Sequence, residues 1–213
     1  MTVWIVVIAV FSTVSTFLFY ASYSIQSNIY LKAFNRNPKA GMVVALTFDD
    51  GPDPIQTPKV LDILKDHNIK ACFFCIGSKI AGNEHIIQRI IDEGHLIGNH
   101  SYSHAFNFPL YSLTKMKNDI LKCNSEIEKV THIETKLFRP PFGVTNPIIS
   151  RMVKKMGFIV IGWSIRSFDT SIKNPQKILK RIERKLSPGS VILLHDRLNF
   201  SDSLLIEIVN AIK

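Results

Sequence analysis

Two adjacent carboxylates, Asp49 and Asp50, are the residues of this sequence around which catalytic chemistry is most readily built. They follow a valine-rich apolar run at 42–46 and precede Gly51-Pro52, so the pattern predicts a buried strand that ends in a tight turn. Because adjacent carboxylates repel each other and are costly to bury unpaired, a metal ion or an arginine is expected beside them. The structural alternative is a turn cap, since Asp and Gly are common turn residues.

A pair of histidines offers the second candidate for metal chemistry. His100 and His104 form an H-x-x-x-H pattern. On a helical turn, residues four apart lie on one face, so both imidazoles could reach one metal ion. Two histidines and one carboxylate form an open metal site that leaves room for water and substrate, and the carboxylate would be Asp49 or Asp50. Two solvated histidines are the alternative.

Two further polar residues end apolar runs. Arg139 stands before Pro140-Pro141, where a fixed guanidinium could bind a carboxylate in a bidentate manner. His195 ends the apolar run 191–194, and it is either a general acid or a core histidine with a satisfied hydrogen bond. His95 opens another apolar run, and no role is predicted for it.

The elements that would position these residues alternate along the chain. Strand-like runs occur at 42–48, 70–76, 95–98, 136–139, 158–163 and 190–195. Helix-like segments occur at 57–67, 84–93, 113–130, 147–156, 175–186 and 203–212. Thr114 is expected to cap the third of these helices and Gly94 to end the second. The alternation predicts an α/β fold of parallel strands, in a barrel or an open sheet, and the polar residues would converge at the carboxyl ends of the strands.

Composition narrows the class of partner. The chain has 213 residues and a net charge of +9, which suits an acidic polymer, lipid headgroups or nucleic acid. No basic cluster is interleaved with aromatic residues, so nucleic-acid binding is not predicted. The densest basic stretch, 177–185, has helical spacing and is interpreted as a solvated helix face. Cys72 and Cys75 lie in an apolar run and are interpreted as buried small hydrophobes.

The amino-terminal segment predicts a membrane helix. Residues 3–25 contain no charged side chain, and a helix of that length can cross a bilayer core of about 30 Å. We therefore divide the chain into a transmembrane anchor or uncleaved signal at 1–25, a polar linker at 26–41 and a catalytic domain at 42–213. An uncleaved anchor is favoured over a signal peptide, because no basic residue precedes the apolar segment and no clear cleavage site follows it.

Four segments in order resemble the motifs of the polysaccharide deacetylase family, which is carbohydrate esterase family 4 with the NodB-homology domain. They are T-F-D-D-G-P at 47–52, H-S-Y-S-H at 100–104, R-P-P-F-G at 139–143 and L-L-H-D at 193–196. The resemblance covers everything after the linker, and it implies a distorted, incomplete (β/α) barrel. It also implies a metal-dependent hydrolase that acts on linear amide bonds and removes N-acetyl groups from peptidoglycan, chitooligosaccharide or a related N-acetylhexosamine polymer. The alternatives are an O-acetyl esterase on an acetylated polysaccharide and a non-catalytic glycan-binding module of the same fold.

The resemblance implies a metal site and a general base. Asp50, His100 and His104 would bind a divalent metal, most often zinc, with cobalt, nickel or manganese as alternatives. Asp49 would be the general base, and Arg139 would pair with it and hold it. The two adjacent carboxylates would therefore have different roles.

The resemblance also implies the proton donor and the walls of the site. His195 would be the general acid, oriented by Asp169. The backbone N–H of Phe142 would help to form the oxyanion hole, and Leu193 would line the pocket for the acetyl methyl group.

The sequence departs from the family pattern in two places. The fourth motif is usually D-x-x-D-W, but here Arg166 stands in place of the first Asp and Thr170 in place of the Trp. The family pattern therefore does not predict the wall of the site that faces the sugar. Family members usually continue past the last helix into another strand, whereas this sequence stops at Lys213. Either the barrel closes differently or the sequence is incomplete.

The expected location follows from the predicted anchor and substrate. Lys32, Arg36 and Lys39 follow the apolar segment, and the positive-inside rule would place the catalytic domain in the cytoplasm. An envelope glycan as substrate favours the opposite orientation, with a single-pass anchor and a domain that faces the periplasm or the cell exterior. The expected partners are an N-acetylated glycan and the membrane.

Overall fold

Parallel strands form the frame that carries the polar residues. The structure is a computed structural model that describes residues 2–212. Its strands are β1 (Ala45–Asp49), β2 (Cys72–Cys75), β3 (Leu96–Asn99), β4 (Leu137–Phe138), β5 (Ile159–Val160), β6 (Ile165–Arg166) and β7 (Val191–His195). They pair in parallel in the order β5-β4-β3-β2-β1-β7-β6 and form a curled half-barrel. This confirms the distorted, incomplete (β/α) barrel predicted from the sequence.

Helices connect the strands and cover the sheet. They are α1 (Thr2–Tyr23), α2 (Gln56–Asp66), α3 (Glu84–Asp92), α4 (Leu113–Thr131), α5 (Pro147–Met156), α6 (Pro175–Glu183) and α7 (Ser201–Ile212). Asn146 caps α5 and Asn174 caps α6. Each is followed by a proline, which suits the first helical turn because an N–H at that position has no partner within the helix. The prediction that Thr114 caps α4 is wrong, because Ser112 accepts the hydrogen bond from the Lys115 N–H.

The hydrophobic core lies on both sides of the central strands. β1 and β7 are almost fully buried, as expected for central strands of a parallel sheet covered on both faces. One cluster joins these strands to α2, α3, α6 and α7, and a second cluster joins the far side of the sheet to α4 and α5. Cys72 and Cys75 are free and buried, in agreement with their interpretation as small hydrophobes, and Cys123 is also free and buried.

The amino-terminal helix projects from this body. α1 has a mean hydropathy of 2.2 over its most apolar window and none of that window is buried, so by length and composition it can cross a membrane. Only its last turn touches the body: Ala21 is fully buried, and the Thr145 side chain and N–H donate hydrogen bonds to the carbonyls of Ala21 and Ser22.

The segment predicted as a linker is in contact with the sheet. Phe34 forms a bridge to Ile161 just after β5, and Arg36 forms a bridge to Ser190 just before β7. Leu31 is buried in the second cluster of the core. Residues 25–41 therefore connect α1 to the first strand and also bind the sheet at two places.

Candidate active site

The carboxyl ends of the strands bring the predicted residues together. Asp49 is the last residue of β1 and pairs in register with His195, the last residue of β7. His100 directly follows β3, and Arg139 directly follows β4. Parallel strands present their carboxyl ends at one edge, so residues about 150 positions apart in the chain become neighbours.

Arg139 is fully buried and organises the base of the site. Its Nη1 donates to Asp49 Oδ1 at 2.6 Å and to the Thr47 hydroxyl at 2.9 Å. Its Nε and Nη2 donate to the carbonyls of Ile161 and Gly162 at 2.9 and 2.8 Å. The contact to Asp49 uses one nitrogen and one oxygen, so the bidentate pairing expected from the sequence is wrong. The guanidinium instead divides its donors between two segments, β1 and the chain that follows β5.

Asp50, His100 and His104 form a candidate metal centre. Their ligand atoms all lie within 4.8 Å of one another, with Asp50 Oδ1 at 3.6 Å from His100 Nε2 and 3.4 Å from His104 Nε2. The Nδ1 of His100 lies 2.8 Å from the Arg139 carbonyl, which can only accept, so Nδ1 carries a proton and Nε2 is the ring nitrogen that faces Asp50. Two imidazoles and one carboxylate fit a zinc-type site with an open position.

The charges within this centre favour metal binding. Burial alone would raise the pKa of Asp50, but the hydrogen bond from His100 and the positive charges that His100, His195 and His104 carry when protonated hold it well below its ordinary value. Burial and the neighbouring His100 lower the pKa of His104 to about 4, so its imidazole is neutral at neutral pH. An ionised carboxylate and neutral imidazoles are the forms that bind metal.

The histidine pair converges by a route that differs from the predicted one. Residues 100–104 are not helical, and Ser101 and His104 have positive φ angles of 68° and 43°. Asn99 Oδ1 accepts from the Ser101 N–H, and Asp119 Oδ1 accepts from the Tyr102 N–H. The helical turn expected for H-x-x-x-H is therefore wrong, and a loop held by these two side chains brings the imidazole rings to 4.8 Å.

Arg197 is a site residue that the sequence reasoning missed. Its Nε donates to Asp50 Oδ2 at 2.8 Å, so the two oxygens of Asp50 have different neighbours. The side chain is 40% exposed and lines the same pocket as the histidines. Its position directly after L-L-H-D is the only signal that could have drawn attention to it.

His195 and Asp169 form a hydrogen-bonded pair on the other side of the pocket. Asp169 Oδ1 accepts from His195 Nδ1 and Oδ2 accepts from the His195 N–H, both at 2.8 Å. The Nε2 of His195 is left free and lies 3.9 Å from Asp50 Oδ2. Burial would lower the pKa of His195, but the hydrogen bond and charge of Asp169, with the charges of Asp49 and Asp50, raise it.

These groups surround one pocket of about 260 Å³. Its walls include Phe142, whose positive φ of 60° belongs to the loop after Arg139, and the apolar side chain of Leu193. The two residues that depart from the family's fourth motif, Arg166 and Thr170, also line the pocket. Every residue that the sequence assigned to the site lies at this edge of the sheet.

The molecule is thus a parallel α/β half-barrel with a pocket at its strand ends that is lined by a metal-type ligand triad, a carboxylate and a histidine. The sequence model of the polysaccharide deacetylase family matches residues 36–161. The chain belongs to this family, which confirms the resemblance found in the motifs.

Named relatives act on amide bonds of N-acetylated glycans. A peptidoglycan-N-acetylglucosamine deacetylase of Bacillus cereus is 36% identical over 161 residues, which is 75% of each chain. A chitooligosaccharide deacetylase of Sinorhizobium fredii is 30% identical over 168 residues, which is 78% of each chain. A crystal structure of a peptidoglycan N-acetylglucosamine deacetylase superposes with a TM-score of 0.79 and 34% identity, covering 84% of this chain and 85% of the other.

Proposed function

We propose that this protein is a metal-dependent hydrolase that removes N-acetyl groups from a glycan of the cell envelope, of the peptidoglycan or chitooligosaccharide class. One observation carries the proposal. The candidate metal triad, the carboxylate Asp49 and the free Nε2 of His195 all face one pocket. Amide hydrolysis needs these three components, because the carbonyl must be activated, a water deprotonated and the departing amine protonated.

The metal site is formed by Asp50, His100 and His104. A divalent metal bound there, zinc first and cobalt, nickel or manganese as alternatives, supplies Lewis-acid activation of the acetyl carbonyl and of water. Asp50 Oδ1 lies on the side of the two histidines, and Arg197 Nε donates to Oδ2 at 2.8 Å. Arg197 thereby restricts rotation of the carboxylate, as partners of metal ligands commonly do.

Asp49 is the proposed general base. Arg139 holds Asp49 Oδ1, which leaves Oδ2 on the side of the metal triad, 3.7 Å from His100 Nε2. A carboxylate fixed in this way accepts the proton of a water that attacks the acetyl carbonyl. The backbone N–H of Phe142 is proposed to stabilise the oxyanion that develops, and Leu193 to contact the acetyl methyl group.

His195 is the proposed general acid. Its Nδ1 donates to Asp169, so when the ring is protonated Nε2 carries the second proton, which passes to the departing amine. The raised pKa of His195 favours the protonated form that this step needs. The presence of both a base and an acid supports an enzyme over the binding-module alternative.

The proposed location follows from α1 and from the relatives. The helix is proposed to be a single-pass anchor in the membrane, with the catalytic domain facing the periplasm or the cell exterior, where envelope glycans lie. The net charge of +9 favours association with acidic wall polymers and lipid headgroups there.

The test measures acetate released from a panel of N-acetylated oligosaccharides by the full chain in a neutral detergent. We expect turnover with added zinc, loss of turnover with a chelator and recovery when zinc is restored. O-acetylated xylan oligomers serve as the comparison, and faster release from them would favour the esterase alternative. No acetate from any substrate with zinc bound would contradict the proposed function.

A further inference from the structure

A cluster of cations on α6 lies outside the groups already assigned. Five basic side chains surround a shallow depression of about 400 Å³, and we call them the α6 basic face: Lys177, Lys180, Arg181, Arg184 and Lys185. Within residues 2–212, none of the five forms an ion pair with a carboxylate. Cations so close together without ion-pair partners create a local positive potential that attracts polyanions.

The α6 basic face is connected to the catalytic pocket. Arg181 lies over one face of the Phe168 ring at 4.4 Å, and Arg166 lies against the same ring at 5.0 Å. Arg181 Nε also donates to the Arg166 carbonyl at 3.0 Å. Arg166 in turn lines the catalytic pocket together with Arg197. Positive charge therefore runs without interruption from the pocket to the outer surface of α6.

Arg166, which lies between the pocket and the α6 basic face, is available to bind an anion. It is exposed, and no ion pair to a carboxylate involves it in the described part of the chain. Its guanidinium is held against the rings of Phe168 and Trp163, which limits the entropy lost when an anion binds. The two pocket carboxylates are each paired with another arginine, Asp49 with Arg139 and Asp50 with Arg197.

We propose that this track of cations, from Arg166 through Arg181 to the α6 basic face, binds carboxylates carried along the glycan strand beyond the sugar that reacts. The inference rests on the proposed function and specifies its substrate class: an N-acetylated strand with repeated carboxylate substituents. A strand whose reacting sugar fills the pocket must leave it across the rim, and Arg166 marks a rim position from which charge continues outward. Lipid headgroups could bind the same cations, but lipid binding would not require a track that begins at Arg166 in the wall of the pocket.

The test reverses charge on α6 and compares two substrates. The variant is Lys180→Glu/Arg184→Glu, and the substrates are soluble peptidoglycan strands, which carry carboxylates, and neutral chitooligosaccharide of similar length. We expect the KM for the strands to rise about tenfold more than the KM for chitooligosaccharide, because exposed charge pairs are individually weak and several are lost. The milder variant Lys180→Gln/Arg184→Gln should show the same trend with a smaller ratio.

A matched control is available on α5. Lys154→Glu/Lys155→Glu makes the same charge change in the last turn of another exposed helix, so it equals the α6 variant in net charge and in its effect on a helix end. We expect this control to leave the KM ratio unchanged. An equal shift in both variants would mean that only net charge matters, and would overturn the proposal.

Binding without turnover separates this inference from the proposed function. With a chelator present, the wild type should bind the strands in a salt-dependent manner, and the α6 variant should bind them more weakly than the α5 control. That result would stand even if no acetate were released from any substrate. If the α6 variant lost binding only to vesicles of phosphatidylcholine and phosphatidylglycerol, and bound the strands normally, the track would be a lipid surface and the proposal would be wrong.

Discussion

Arg139 donates to Asp49 across 90 positions of sequence, and the two side chains are both buried beneath the catalytic pocket. The same guanidinium also satisfies Thr47 and the carbonyls of Ile161 and Gly162. The arginine therefore fixes the proposed base and ties the first strand to the chain after β5. The position of the proposed base and the packing of β1 both depend on Arg139.

Replacing Arg139 should destabilise the protein. Arg139→Met leaves Asp49 buried without its counter-charge and leaves two carbonyls without donors, and breaking a buried ion pair costs about 3–5 kcal/mol. The free energy of unfolding, measured by urea denaturation, should fall by that amount. Arg89→Met is the matched control, because Arg89 forms surface ion pairs with Asp62 and Glu93, and its loss should cost about 1 kcal/mol or less. Equal losses in the two variants would contradict the assignment.

Asp49→Asn should separate proton transfer from metal binding. The amide keeps the size of the side chain but cannot accept the proton of water, so kcat should fall by a factor of about 100 to 10,000. Zinc affinity, measured by equilibrium dialysis, should change little, because the proposed ligands are Asp50, His100 and His104. His104→Ala is the opposite case and should lose zinc. Full activity in Asp49→Asn would show that another group is the base.

Asp169→Asn should change the pH profile as well as the rate. Asp169 accepts two hydrogen bonds from His195 and contributes to the raised pKa of that imidazole. Without its charge the pKa of His195 falls, so the protonated general acid is lost at a lower pH. The alkaline limb of kcat against pH should therefore move toward acid, together with a lower maximum. A reduced rate with an unmoved alkaline limb would indicate a purely structural role for Asp169.

His95 should make the protein less stable in mild acid. It is buried, its Nδ1 accepts from the Ala71 N–H, and burial, then the charge of Lys70, lower its pKa from 6.5. Below pH 6.5 the unfolded chain takes up a proton that the folded protein does not, so stability falls as the pH falls until the lowered pKa is reached. One such proton contributes at most about 1.4 kcal/mol per pH unit.

The measurement for His95 compares how steeply the free energy of unfolding falls with decreasing pH in the wild type and in variants. The free energy of unfolding is determined for the wild type and for His95→Gln in steps of pH below 6.5. The variant should show a shallower decline, whatever its absolute stability, because it lacks the titrating group. His85→Gln, at an exposed position, is the control and should keep the wild-type slope. If His95→Gln also kept it, the pKa of His95 would not differ between the folded and unfolded states.

The α/β class and the alternation of strands and helices could be predicted from sequence patterns, and the family motifs implied which groups form the pocket. Those features depend on local information: apolar runs at strand spacing, helix starts such as Asn146-Pro147, and polar residues that directly follow a strand. Parallel strands place such residues at one edge, and the resemblance to the family motifs implies that Arg139 pairs with Asp49 and that Asp169 orients His195.

The contacts through which these residues meet depend on the folded structure. The pair of Arg197 with Asp50 spans 147 positions, and no local pattern announces it. His100 and His104 converge through a loop held by Asn99 and Asp119, where periodicity had predicted a helical turn. The physical reason is the same in both cases: a side-chain hydrogen bond between distant segments depends on the positions of both backbones, and these are fixed only when the sheet curls and the core packs.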